Sequence, residues 1–375
     1  MKIAPIVKAI EKYNREAKTR SLKIRYLLIH TGQHYQEDMS EYFFRDLDLP
    51  MPDISLGVGS GSHAEQTAKT MIAFEKVCLN GKTDLVMVVG DVNSTLACAL
   101  VAAKLHIPIA HVEAGLRSFD RRMPEEINRI LTDQISDYLF TTSIDANKNL
   151  RKEGVPGHKI FLVGNVMIDT LLSHIQLAQK SRILEKLGFH KYGAETKYGI
   201  VTLHRPSNVD EPRILNGILN ALAKISKRIP VIFPAHPRTL KRLREYKLEG
   251  LADLWKNRDE NSLISKKSRI LVIPPLGYLD FLFLMSRAAI VFTDSGGIQE
   301  ETTILGIPCL TIRDTTERPI TITEGTNLLT GNDPQKIVTL ANRVLRKGKK
   351  GKSIPHFWDG KAAERIVRIL TKEFC

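Results

Sequence analysis

Val88-Val89-Gly90-Asp91-Val92-Asn93-Ser94-Thr95 and His111-Val112-Glu113-Ala114-Gly115-Leu116-Arg117-Ser118 share one pattern: an apolar run, an acid at its end, and then the opening of the next element. In an open sheet of parallel strands, ligands bind beyond the carboxyl ends of the strands, so Asp91 and Glu113 are expected to face a cleft. A third acid follows in Pro124-Glu125-Glu126. Each has a plainer reading beside the functional one. Asp91 is a fitting N-cap for a helix from Ser94 to Lys104, at ~1 kcal/mol. Glu113 can belong to a structural salt bridge. Glu125, after a proline in the first turn of a helix, suits the helix dipole and has Arg129 four residues on as an ordinary partner.

On either side of these acids strands and helices alternate, which is the pattern of a parallel sheet covered on both faces. Strands are expected near 25–31, 53–57, 84–90, 108–113, 138–142 and 160–164, with helices near 36–46, 63–79, 94–105, 124–136, 144–153 and 167–187. A second alternation follows, with strands at 198–203, 230–234, 269–274, 288–293 and 308–312 and helices around 211–228, 238–247, 278–287 and 297–305. The fold class is therefore α/β, with two doubly wound lobes. The first is expected over 1–166 and the second over 167–359, while the last helix, within 360–375, crosses back to the first.

The composition narrows the function classes. With 375 residues and 43% hydrophobic side chains, two cores can form, and no run of 18 apolar residues is present to span a bilayer. Cys78, Cys98, Cys309 and Cys375 are scattered without C-x-x-C spacing, which implies neither a zinc site nor a disulfide framework and suits a reducing cytoplasm. The N-terminus reads as an amphipathic helix rather than a signal or transit segment. A net charge of +14 raises nucleic-acid binding. The basic stretches at 18–25, 224–241, 266–269 and 343–352 nevertheless lack interleaved aromatics, so they read as solvated faces that steer a small anionic substrate.

In the second lobe, Ile290-Val291-Phe292-Thr293-Asp294-Ser295-Gly296-Gly297-Ile298-Gln299-Glu300-Glu301 runs from strand through a glycine turn into a helix. Side-chain-free residues at a helix N-terminus let an anion reach backbone N–H groups, so this is a candidate diphosphate site. The plainer reading is a helix capped by Ser295 and ended by Gly306 and Pro308. Glu301, one turn in, is placed like the acid that accepts from a ribose diol. His204 and His236 end strands beside Arg205 and Arg238, a phosphate or general-acid pairing. Arg313 and Arg318 add guanidinium groups suited to phosphate oxygens.

Gln33-His34, Gly90-Asp91, His111 to Arg117, Pro124-Glu125-Glu126 with Asn128-Arg129, His204-Arg205, Asp294 to Glu301 and Thr316-Glu317-Arg318-Pro319 occur in one order along nearly the whole chain. This ordered set resembles the non-hydrolysing UDP-N-acetylglucosamine 2-epimerase family. The resemblance implies two Rossmann-like lobes, similar to those of nucleotide-sugar glycosyltransferases, with the sugar nucleotide in the cleft between them. It implies no cofactor, no metal, and a homodimer. It makes Asp91, Glu113, Glu125 and His204 catalytic. It assigns Ser295, Gly296, Gly297 and Glu301 to the diphosphate and ribose, Phe281 to the uracil, His204 and Arg318 to the phosphates, and Lys2 and Leu276 to the remaining substrate contacts. The implied reaction expels UDP from carbon 1 to leave a 2-acetamidoglucal, then adds it back with protonation of carbon 2 from the opposite face.

The chain departs from this family in three places. The family's first strand and the Gly-Thr-Arg-Pro-Glu loop after it do not precede Met1-Lys2-Ile3-Ala4-Pro5. Burying even four aliphatic side chains stabilises by ~1.5–3 kcal/mol each, against a typical total of ~5–15 kcal/mol. The expectation is therefore a start site further upstream, and weak folding or activity for the chain as written. Gly59-Ser60-Gly61-Ser62-His63 stands where some members bind a second substrate molecule, which argues against such activation here. Ile320 follows the Thr-Glu-Arg-Pro motif where many members carry glutamate. A glycosyltransferase of the same architecture and an inactive UDP-sugar-binding protein are the alternative readings.

Overall fold

The computed structural model describes residues 1–17, 23–32, 46–189, 197–248, 250, 253–254, 270–348 and 353–374. Gln33, His34 and the helix expected over 36–46 lie outside them, as do the basic stretch 266–269 and parts of 18–25 and 343–352. The chain divides into two compact units, 1–173 with 356–375 and 174–355. The division falls inside the helix Val166–Ala178. Among the described residues no helix is long and apolar enough to cross a membrane.

In the first unit β1 (Ile29–His30) pairs in parallel with β2 (Ile54–Ser55). A separate parallel sheet runs β3 (Val86–Val89), β4 (Ile109–Ala114), β5 (Tyr138–Thr141) and β6 (Ile160–Leu162) in that spatial order, with β3 at its edge. The strand expected over 25–31 thus shortens to two residues, and side chains bond the backbone just before it. The Asn14 amide bonds both the N–H and the C=O of Ile24, and the Asp53 carboxylate accepts from the Leu28 N–H at 2.7 Å. The Gly59–His63 stretch has a local purpose: Ser62 and Glu65 form a capping box at the start of helix His63–Leu79.

The helices Ala4–Glu16 and Ala362–Phe374 bury their apolar stripes on one face of this sheet, where Ile6, Ile10, Ile366 and Leu370 join Ala110, Val112 and Phe140. Asp169 fastens the C-terminal helix by accepting from the N–H groups of Ala362 and Ala363, at 3.1 and 2.7 Å.

The second unit holds seven parallel strands: β7 (Gly199–Thr202), β8 (Val231–Pro234), β9 (Asp253–Leu254), β10 (Ile270–Ile273), β11 (Ile290–Thr293), β12 (Cys309–Thr311) and β13 (Asn327–Leu329). Their order in the sheet is β13-β12-β11-β7-β8-β10-β9. β7, β8, β10 and β11 are rich in aliphatic side chains and buried almost throughout, as expected of strands covered on both faces.

Three expectations are corrected here. β9 and β13 are strands that the apolar pattern did not mark. Helix Pro334–Lys347, which Asp333 caps and whose Ile337 and Ala341 enter the core, was likewise unmarked, while Arg343, Arg346 and Lys347 of the basic run are exposed on it as expected. The helix expected over 167–187 breaks into Val166–Ala178 and Ile183–Lys186, because the Ser181 hydroxyl takes the Ile183 N–H.

Candidate active site

In the first unit Glu113 stands at a break in β4. The register with β5 shifts between Val112 and Ala114, and Glu113 between them has φ +71°, in the left-handed region. A bulge there turns the Glu113 side chain out of the alternation of the strand. Its carboxylate is buried and forms an ion pair with Lys2 Nζ at 2.5 Å. A Cβ added to Gly90, itself at φ +77°, would stand 3.0 Å from Lys2 Nζ and 3.9 Å from Glu113 Oε2, so the turn into Asp91 lies against this pair.

Asp91 does not cap the following helix, whose N-cap is Val92 without a side-chain bond. Its carboxylate is instead paired with Arg129. Arg129 also holds Glu126, and this replaces the expected Glu125–Arg129 pair. Burial alone would raise the Glu126 carboxyl, but the Ser118 and Phe119 N–H groups and the Arg129 guanidinium hold it below the usual carboxylate range. Asn128 donates to the Asp91 carbonyl at 2.9 Å. One helix, Pro124–Ile135, therefore fixes Asp91 while carrying Glu125, half-buried, in its first turn.

In the second unit the glycine turn meets a knot of charges. Gly296 begins the helix Gly296–Leu305, and a Cβ on it would lie 2.3 Å from Arg318 Nη1 and 2.7 Å from Glu317 Oε1, so only glycine fits. Ser295 precedes it with no side-chain capping bond, contrary to the plainer reading. Arg318 reaches Glu300 at 2.6 Å and also Glu317, Arg313 reaches Glu317 at 2.8 Å, and Arg205 approaches Glu317 at 3.9 Å. With Asp294 in the same turn, three guanidinium groups meet three buried carboxylates beside a helix N-terminus, where guanidinium and backbone N–H donors together can receive an anion.

Asp294, fully buried, accepts from the N–H groups of His204 and Arg205 and from Asn208, and lies 3.0 Å from His204 Nδ1. Despite burial, His204 and these donors hold its carboxyl below the usual range. The His204 ring is thereby oriented while its side chain stays 44% exposed. His236 instead caps the helix Pro237–Glu245 by accepting from the Arg238 N–H, and Arg238 pairs with Asp210. His204 is thus held by a buried carboxylate, whereas the His236 ring also serves as a helix cap.

Leu276 and Phe281 are half-buried at the start of helix Tyr278–Arg287. Tyr278 Oη donates to Glu301 Oε1 at 3.0 Å. Burial, with Glu300 nearby, pushes the Glu301 carboxyl up to about 8 from an ordinary 4.5, and the tyrosine bond offsets this only in part. A raised carboxyl contributes stability that is complete below about 4.5 and is lost as pH climbs through about 8. Glu301→Gln, neutral throughout and still able to accept from Tyr278, is expected to melt with wild type near pH 5. Near pH 8.5 it should melt ~10 °C or more above wild type, at ~1.4 kcal/mol per pKa unit and ~2–4 °C per kcal/mol for domains of this size. Parallel melting-temperature curves against pH for the two proteins would refute this.

A family profile described as UDP-N-acetylglucosamine 2-epimerase matches residues 15–371. The chain belongs to this epimerase family. The UDP-N-acetylglucosamine 2-epimerase of Methanocaldococcus jannaschii is 45% identical over 99% of this chain and 95% of its own. The UDP-2,3-diacetamido-2,3-dideoxy-D-glucuronate 2-epimerase of Pseudomonas aeruginosa is 41% identical over 92% of this chain and 91% of its own. The crystal structure of the M. jannaschii epimerase in complex with UDP-GlcNAc and UDP superposes with a TM-score of 0.85, at 44% identity, covering 99% of this chain and 96% of that one.

Several groups around the family's motifs were not singled out from sequence as working parts: Arg129, Asp133, Tyr278, Asp294, Glu300 and Glu317. Asp294, Glu300 and Glu317 lay inside quoted motifs, yet a buried acid shows no period or spacing of its own. Asp294 and Glu300 also have partners remote in sequence, His204 and Arg318.

Proposed function

We propose that the chain inverts carbon 2 of UDP-N-acetylglucosamine to give UDP-N-acetylmannosamine. The observation that carries this reading is Glu113, an acid kept in left-handed backbone at the carboxyl end of a strand, beside the turn that bears Asp91. Such strain persists where the surroundings impose it, and it clusters at working sites.

The chemistry follows from the two sets of groups. A hydrogen on carbon 2 of a pyranose is too weakly acidic to remove unaided. The second unit's glycine turn, His204, Arg205 and Arg318 stabilise the leaving diphosphate as the bond from carbon 1 to oxygen breaks and its electrons pass to UDP. A carboxylate of the first unit takes the proton from carbon 2, and the carbon 1–carbon 2 double bond of the acetamidoglucal forms. In the return step UDP oxygen adds to carbon 1, and a carboxylic acid protonates carbon 2 from the other face. Inversion thus calls for two acid/base groups, and Asp91, Glu113 and Glu125 supply three candidates. Ser295, Gly296, Gly297 and Glu301 hold the diphosphate and ribose, Phe281 and Leu276 the base, and Lys2 lies against Glu113.

Incubation with UDP-N-acetylglucosamine in deuterated water and no acceptor tests the proposal. The expected result is deuterium at carbon 2 and a mixture of gluco and manno epimers by NMR. Intact, unexchanged substrate in a protein that binds UDP would sink it and favour a glycosyltransferase or a binding protein. A parallel incubation with the 2,3-diacetamido uronate nucleotide tests the substrate assignment. Faster exchange of that compound would move the chain towards the P. aeruginosa relative.

A further inference from the structure

We propose that His111 and Asp133 are positioning residues that hold the Glu113 bulge and the Gly90–Asp91 turn in register with one another. This rests on the reading of Asp91 and Glu113 as reacting acids, given above.

His111 is completely buried in β4, two residues before Glu113. Its ring bridges two oxygens: Nδ1 lies 2.7 Å from Asp133 Oδ1, and Nε2 lies 2.8 Å from the carbonyl oxygen of Gly90. Asp133, also buried, uses its other oxygen to accept from the Gly115 N–H at 3.0 Å and to pair with Arg117 at 2.7 Å. One carboxylate on helix Pro124–Ile135 therefore grips the chain two residues before and two residues after Glu113. The same ring ties that grip to the peptide that precedes Asp91. The Gly90 N–H donates to the Val112 carbonyl at 3.0 Å, so Gly90 is held on both its backbone groups by the segment that leads into the bulge.

The arrangement supplies what a bulge removes. Between Val112 and Ala114 the ladder to β5 slips, so regular strand hydrogen bonds do not fix the direction in which Glu113 leaves the backbone. A displacement of reacting groups by about 1 Å is enough to lower a rate by about a hundredfold. Side-chain bonds on both flanks of Glu113 restore the missing constraint. Arg117 extends the grip outwards, since Glu153 accepts from its Nε and Nη2 at 2.8 and 2.6 Å. The bonds of His111 and Asp133 bracket the two acids, whereas a pair serving the fold alone has no reason to converge on them.

Two substitutions divide the ring's two functions. An asparagine amide nitrogen overlays Nδ1 and retains the Asp133 bond, and a glutamine amide nitrogen overlays Nε2 and retains the Gly90 bond. His111→Asn and His111→Gln are compared with wild type in turnover, KM for UDP-N-acetylglucosamine, deuterium exchange at carbon 2, UDP affinity and melting temperature. We expect kcat and exchange to fall at least thirtyfold in each, with KM and UDP affinity within about twofold of wild type. A folded variant whose kcat stays within threefold of wild type would overturn the proposal. Glu153→Gln, at a position whose side chain is 28% exposed, keeps the test open should both buried variants unfold. There a threefold to tenfold loss of kcat at unchanged KM supports the proposal, and unchanged kcat overturns it. Wild-type exchange at carbon 2 is the separate check on the functional reading, so the two failures are distinguishable.

Discussion

Glu113→Gln is expected to lower epimerisation by about 10²–10⁴-fold, the range for loss of a positioned acid/base group, while UDP affinity stays within about twofold. The two expectations separate because the acids and the anion groups lie in different units of the chain. Glutamine is nearly isosteric and has the same difficulty with φ +71°, so the substitution leaves backbone strain as it was and removes only the charge and the exchangeable proton. The alternative, that Glu113 exists to neutralise Lys2, predicts the reverse. The half-buried ion pair would be broken, the melting temperature would fall, and turnover by the remaining folded protein would change only a few-fold. Kinetics and thermal melting on the same preparation decide between them.

Gly296→Ala is expected to weaken UDP binding by about 10–100-fold and to destabilise the second unit. The new methyl group would meet Arg318 Nη1 at 2.3 Å and Glu317 Oε1 at 2.7 Å, and both side chains are buried and locked in ion pairs. Something must shift, and overpacking of this kind costs ~1–3 kcal/mol. Arg318 is the group that must move, so the penalty falls on the anion site as well as on the fold. Gly157→Ala, where an added Cβ would meet nothing within 4 Å, is the control and should leave UDP affinity unchanged. Titration calorimetry with UDP measures both. Equal affinities in the two variants would show that the Gly296 turn does not hold the diphosphate.

What could be read along the chain was what short-range rules encode. A run such as Ile290 to Thr293, followed by two glycines and a helix start, is settled by local propensity and burial, and it appears where expected as β11 and its helix. The weakest elements were those that borrow stability from remote partners. β13 has three residues and is a strand because β12 lies beside it, and just before β1 the backbone of Ile24 and Leu28 is bonded by the remote side chains of Asn14 and Asp53. The same division runs through the acids. That Asp91 and Glu113 end strands was legible, but that Arg129 would leave Glu125 for Asp91 and Glu126 was not. An i,i+4 rule does not choose between Glu125 and Glu126 on the same helix, and it does not see Asp91, which comes from another element.

The amino-acid order by itself determined the alternation of parallel strands and helices, the acids at strand ends, the glycine turn before a helix, and the family to which these motifs belong. All of these depend on neighbours a few residues apart, through hydrophobic periodicity and backbone freedom. Only the tertiary structure decided that Glu113 sits in a left-handed bulge, that Asp133 grips the chain on both sides of it, and that three arginines converge on Glu317 beside Gly296. Those arrangements join elements remote in sequence, as Asp133 with His111 and Arg205 with Glu317. They are set by competition for buried hydrogen-bond partners, which exists only once the sheets have assembled.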